Sequence, residues 1–218
     1  GAAACHTVIV VDASGSMRKN DVSGFESRTE AVYDCLERDF LAPQLANPKE
    51  GDNLVSLLEM SDETKVIFKR MPVGESVRRT FSQRKKSRAH SHGNYVPALD
   101  ALTDLLLPEM NTQRRILIMV LSDGAPSDHV TRECIHGSLV WKESNDGRMV
   151  RGRPALINCG CRQQSSQCRT AVVKSVATDC VQKIVRLGDL LGRDRTSIMT
   201  CAFGPLSEDF ETLQKMSE

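Results

Sequence analysis

Two uninterrupted apolar runs, Val8-Ile9-Val10-Val11 and Ile116 to Leu121, constrain this chain more than anything else in it. A half-exposed strand alternates apolar and polar residues, whereas a run with no polar member reads as a strand buried on both faces. Each run leads directly into polar, acid-bearing residues: Asp12 after the first, Ser122-Asp123-Gly124 after the second. Between them, Ser27-Arg28-Thr29-Glu30 has capping-box spacing, and Val32, Cys35, Leu36 and Phe40 follow on one helical face up to Pro43. Leu54 to Glu59 and Lys65 to Arg70 read as an antiparallel pair, because the turn Ser61-Asp62-Glu63-Thr64 is too short for a crossover. A further helix starts near Pro97, carries Leu99, Leu102, Leu105 and Leu106, and stops at Pro108. Val173, Val176, Cys180, Ile184, Leu187 and Leu191 repeat at helical spacing before Gly192; a strand from Ser197 to Phe203 and a helix from Ser207 to Met216 follow.

That order implies an α/β fold: a doubly wound, mostly parallel sheet with one antiparallel edge strand and helices on both faces. Such sheets bind ligands outside the carboxyl ends of their strands, where strand order reverses. The loops of Asp12 and Asp123 both open there. The 218 residues suit a single domain, 1–218, which we expect to be a fragment of a larger protein, with an insertion at 129–170.

The loop Asp12-Ala13-Ser14-Gly15-Ser16-Met17 gathers short oxygen side chains of the kind that suit a hard divalent cation. Taken alone, an Asp and two Ser after a strand are also ordinary turn and helix-cap residues. Joined to the Asp123 loop and the element order, the pattern resembles the von Willebrand factor A (vWA) domain, a Rossmann-like fold whose Asp-x-Ser-x-Ser loop contributes to a metal-ion-dependent adhesion site. The resemblance implies that Ser14 and Ser16 bind the ion directly and that Asp12 and Asp123 act largely through water. Magnesium suits such a site, with manganese or calcium as alternatives, and an exposed Asp or Glu of a protein partner would complete the coordination shell. The family's third loop carries a Thr ligand where this chain, aligned on Ala98-Leu99, has Gly93. Water fills that place, or Asn94 or His92 reaches in; Asn94 offers a carbonyl oxygen, while neutral His is a poor magnesium ligand. We therefore expect a site weaker than a complete one, or one that binds only together with its partner.

The formal net charge is +1, which gives no general bias toward nucleic acid, but residues 78–92 hold six Lys or Arg and no acid. This stretch reads as a solvated loop. If it borders the metal, as the resemblance implies, Arg84, Lys85, Lys86 and Arg88 form a basic rim for an acidic partner. With only Phe81 and Tyr95 nearby as stacking residues, nucleic acid is disfavoured. No apolar run reaches membrane-spanning length, so no membrane association is expected. The absence of Asn-x-Ser/Thr favours a cytoplasmic protein, with an extracellular one as the alternative.

Of eight cysteines, Cys35, Cys180 and Cys201 fall at apolar positions and read as core residues. Cys134, Cys159, Cys161 and Cys168, with His136, crowd into the insertion, where Asn145-Asp146-Gly147 marks a hairpin between Leu139–Lys142 and Met149–Arg151. A zinc staple, two disulfides or unlinked thiols are the three readings of that cluster. No nucleophile, base and acid share a recognisable spacing, so an enzyme is not expected. The function expected is a metal-dependent protein-binding module. The alternatives are a metal-independent scaffold of a larger complex, acting through the insertion or the sheet edge, and, more remotely, a metal-dependent hydrolase; other domains of the same chain are further expected partners.

Overall fold

Strands β1 (Cys5–Asp12) and β4 (Arg115–Ser122) lie parallel at the centre of the sheet, in register from Cys5 opposite Arg115 to Val11 opposite Leu121. The structure, a computed structural model, describes residues 4–46, 53–89, 92–128, 149–150, 153–154, 166–205 and 207–218. Strands β2 (Leu54–Met60), β3 (Lys65–Pro72) and β7 (Thr196–Ala202) complete a five-stranded sheet in the order β3-β2-β1-β4-β7, in which β3 is the antiparallel member at one edge. The chain is thus an α/β protein of the expected doubly wound kind.

Why the run Val8–Val11 within β1 is wholly apolar is visible in its two faces. Val8 and Val10 pack with Ile118 and Val120 against α4 (Tyr95–Leu106), α5 (Ser166–Leu191) and α6 (Glu211–Ser217). Ile9 and Val11 pack with Met119 and Leu121 against α1 (Arg28–Cys35) and α3 (Glu75–Arg84). Each fully buried aliphatic side chain contributes about 1.5–3 kcal/mol, so an unpartnered polar residue within Val8–Val11 would be costly. From β1 the chain crosses to β2 on one side and later to β4 on the other. The crevice at the carboxyl ends of β1 and β4 is therefore the point where strand order reverses.

Local structure departs from the sequence expectations in several places, one being the last helix, which starts at Glu211 rather than Ser207. The stretch 78–92 begins as helix rather than solvated loop: α3 runs to Arg84 because Val77 and Phe81, four residues apart, are both buried. The helix through Cys35 does not stop at Pro43; it widens to a π turn over Leu36–Leu41 and continues as α2 (Ala42–Ala46). The helix placed near Pro97 begins two residues earlier, at Tyr95, with Pro97 inside its first turn where a missing N–H costs least. Within 129–170, β5 (Met149–Val150) pairs antiparallel with β6 (Arg153–Pro154); the expected partner Leu139–Lys142 and its turn at 145–147 lie outside the described residues.

Candidate functional site

At the strand-order crevice, the parallel register sets Ser122 beside Asp12, and the Ser122 hydroxyl donates to Asp12 Oδ2 at 2.5 Å. The Ser14 backbone N–H turns back to donate to Asp12 Oδ1 at 2.7 Å. Ser14 Oγ and Ser16 Oγ are 2.9 Å apart, and the Ser16 hydroxyl donates to Asp123 Oδ1 at 2.8 Å. An unbroken chain of hydrogen bonds thus joins Ser122, Asp12, Ser14, Ser16 and Asp123. Two anchors hold the loop: the Ala13 N–H donates to Met60 O of β2 at 2.8 Å, and Met17 is completely buried in the 3-10 turn Gly15–Arg18.

Asp12 is 3 % exposed and Asp123 is 4 % exposed. Burial pushes the Asp12 carboxyl up to about 6; hydrogen bonds from Ser122 and Ser14 oppose this, and the charge of Asp123 adds to it. Among the described residues no Lys, Arg or His pairs with Asp12. A buried carboxylate without a counter-charge, beside a second carboxylate and two paired hydroxyls, fits a hard divalent cation.

The third loop comes in just ahead of α4. Gly93 lies so close that a Cβ there would stand 3.2 Å from Asp12 Oδ2 and 3.3 Å from Oδ1. Asn94 Oδ1 is buried and receives no hydrogen bond, whereas its Nδ2 donates to Asp62 O at 3.4 Å. An unsatisfied buried acceptor costs about 1–3 kcal/mol, which makes Asn94 the better of the two side chains named above as a further oxygen ligand. His92 is engaged elsewhere: its Nδ1 lies 2.7 Å from Asp62 Oδ1. The loop is pinned from a distance. Gly93 O accepts the Ser127 N–H at 2.9 Å, and the Tyr95 hydroxyl donates to Gly124 O at 2.7 Å.

Arg28, read in the sequence only as part of a capping box, turns out to belong to this site. The capping itself is real, since Ser27 Oγ accepts the Glu30 N–H at 3.1 Å, but the Arg28 side chain is fully buried. Its Nη1 donates to Asp123 Oδ2 at 2.6 Å, its Nε to Asp21 Oδ1 at 2.8 Å, and its Nη2 to both Asp21 Oδ2 and Glu208 Oε1. Lys19 Nζ meets the same Glu208 oxygen at 2.7 Å. The hydrogen bond from Arg28 lowers the pKa of Asp21, and Lys19 followed by Arg28 does the same for Glu208. Nothing in the local sequence signals this, because an Arg in a helix's first turn is ordinarily solvated.

Two of the four residues expected to form a basic rim are engaged elsewhere. Arg84 donates through Nε to Glu59 Oε1 at 2.7 Å and through Nη2 to Glu59 Oε2; Lys85 reaches Asp34 at 2.9 Å and Glu37 at 2.8 Å. Both therefore serve the packing of α3 on β2 and α1 rather than facing outward. Lys86 and Arg88 are exposed.

At the opposite end of β1, His6 Nδ1 lies 2.8 Å from Glu109 Oε1 and Nε2 lies 2.8 Å from Ser56 Oγ. This has the layout of a nucleophile, base and acid relay. All three side chains are completely buried, and Ser56 Oγ also accepts the Arg70 N–H at 2.8 Å, so the cluster ties strands together and offers no nucleophile. Among the described residues no three His, Cys, Asp or Glu side chains converge as metal ligands. Of the zinc candidates, Cys134, His136, Cys159 and Cys161 lie outside the described residues, and Cys168 lies within the first turn of α5.

Residues 7–125 match the von Willebrand factor type A domain family. No curated protein matches the chain at the level of sequence. Among solved structures, the pilus adhesin SpaC from Lactobacillus rhamnosus GG is similar over 100% of this chain and 28% of its own, with 14% identity and a TM-score of 0.63. The SpRpn10 VWA domain is similar over 99% of this chain and 83% of its own, at 11% identity and a TM-score of 0.51. Proximal thread matrix protein 1 from the mussel byssus, with a zinc-occupied MIDAS motif, is similar over 99% of this chain and 41% of its own, at 9% identity and a TM-score of 0.55. The chain thus spans less than a third of the adhesin's length, and at these identities the likeness is one of fold.

Proposed function

The chain belongs to the von Willebrand factor type A domain family, and on that premise we propose that it is a non-enzymatic, cation-dependent protein-binding module. Ser14 and Ser16 would hold a divalent ion directly, with Asp12 and Asp123 orienting its water and Asn94 as an additional oxygen donor. Bound there, the ion would supply an open coordination position for the carboxylate of a partner's Asp or Glu. The observation that carries this reading is the continuous hydrogen-bonded array of two buried carboxylates and two serine hydroxyls, with no cationic side chain on Asp12 among the described residues. The zinc-occupied MIDAS of the mussel matrix protein supports it by showing a metal in a domain of similar fold. Lys86 and Arg88 are the rim residues left to steer an acidic surface inward. A cytoplasmic setting is part of the proposal and rests on the lack of an Asn-x-Ser/Thr acceptor in the sequence.

The test is isothermal titration of magnesium into EDTA-stripped protein, with Asp12→Ala and the double change Ser14→Ala/Ser16→Ala alongside. Saturable binding in the native chain that both variants lose is expected. Binding that survives both variants, or none in the native chain up to about 20 mM magnesium, would sink the reading.

A further inference from the structure

Arg28 is the only described side chain that places a positive charge on either carboxylate of the cation site, and it does so from a fully buried position. Its guanidinium is shared among three carboxylates on three separate segments: Asp123 after β4, Asp21 in the loop before α1, and Glu208 after β7. Gly204 makes room for it, since a Cβ there would lie 2.8 Å from Arg28 Cζ. The same carboxylate that faces Ser16 through Oδ1 is therefore held through Oδ2 by a built-in cation.

We propose that Arg28 is an internal counter-ion that competes with the divalent cation for Asp123, and that Asp21 and Glu208 are the acceptors that retain its guanidinium when the cation binds. This rests on the cation reading above and adds the residue that sets the site's affinity. The physical ground is charge. In a site shielded from water a nearby guanidinium opposes entry of a second positive charge, so cation affinity depends on how strongly other carboxylates draw that guanidinium off Asp123. A partner's carboxylate adds negative charge and offsets the opposition, so cation and acidic partner would bind with mutual reinforcement.

Magnesium titration of EDTA-stripped Arg28→Gln, Arg28→Lys and Glu208→Gln tests this. Arg28→Gln is expected to bind magnesium about ten-fold more tightly than the native chain, and Arg28→Lys, which keeps the charge, within about three-fold of it. Glu208→Gln, with one fewer acceptor, is expected to bind about three-fold more weakly, and to do so still at about 0.5 M KCl, where the field of a partly exposed charge is screened. In the native chain the Arg28 guanidinium NMR signals should shift as magnesium saturates the site. Equal or weaker binding by Arg28→Gln overturns the proposal, as do guanidinium signals that stay fixed while magnesium binds. Should Arg28→Gln fail to fold, Glu208→Gln decides: affinity unchanged or raised overturns it. Failure of the cation reading looks different, because neither the native chain nor Arg28→Gln would then bind magnesium.

Discussion

The Asp128 carboxylate accepts the backbone N–H of Tyr95 through Oδ2 and that of Val96 through Oδ1, each at 2.7 Å. One acid from the loop beyond Asp123 thus caps α4 and fixes the direction from which Gly93 approaches Asp12. Asp128→Ala should destabilise the domain by about 1–2 kcal/mol, as loss of a helix cap does. It should also weaken magnesium binding several-fold by freeing the Gly93 loop. Urea denaturation and titration of the same variant check both, and a loss of stability with unaltered magnesium affinity would separate the cap from the site.

Asp12 stores a cost that a cation would relieve. Its folded-state pKa, about 6, lies above the ordinary 3.8, so the stability it contributes is present below pH 3.8 and lost as pH rises through 6. For the ion-free protein the loss is about 3 kcal/mol at pH 7. Asp12→Asn should therefore stabilise the EDTA-treated domain at pH 7.5 relative to pH 4.5, while abolishing the stabilisation that magnesium gives the native chain. Thermal melts at both pH values, with and without magnesium, measure this.

His6 behaves in the opposite sense. Burial is the main reason its pKa is lowered from 6.5, so the unfolded chain takes up the proton first. Its contribution is present above pH 6.5 and lost as pH falls through that value toward the folded pKa. His6→Leu takes one hydrogen bond each from Glu109 and Ser56, which keep Arg70, and should cost about 1–3 kcal/mol at pH 7.5. The same burial predicts that a fluorophosphonate probe leaves Ser56 unlabelled in the folded protein; labelling would contradict its enclosure.

Two glycines with positive φ separate backbone need from spatial need. Gly204, at φ +120, faces the Arg28 guanidinium, while Gly24, at φ +87, has no atom within 4 Å of a Cβ position. Gly204→Ala should cost more than about 2 kcal/mol and Gly24→Ala only about 1 kcal/mol, the backbone part alone. Denaturation midpoints of the pair decide whether Arg28 requires that glycine.

The basic residues near the end of α3 should divide in the same way. Arg84→Ala removes the counter-charge of the buried Glu59 carboxylate, leaving it the Tyr33 hydroxyl, and should lose about 3 kcal/mol of stability. Lys86→Ala/Arg88→Ala should leave the melting temperature unchanged and lower the rate at which an acidic partner associates, with the effect fading in high salt. A stable Arg84→Ala would show that the Tyr33 hydroxyl alone satisfies Glu59.

What the sequence determined was the frame and the first ring of the site. The apolar runs of β1 and β4 can be satisfied only in a sheet covered on both faces, and the residues that follow such strands fall at its carboxyl edge. That Asp12, Ser14, Ser16 and Asp123 meet at that edge was legible because each follows an apolar strand closely in the chain. The tertiary structure alone decided what surrounds them. Arg28 reaches Asp123 across 95 residues, Asp128 caps Tyr95 across 33, and Arg84 turns inward to Glu59 across 25. A buried charge is placed by whichever opposite charge the fold brings within hydrogen-bond reach, and spacing along the chain carries no record of that choice.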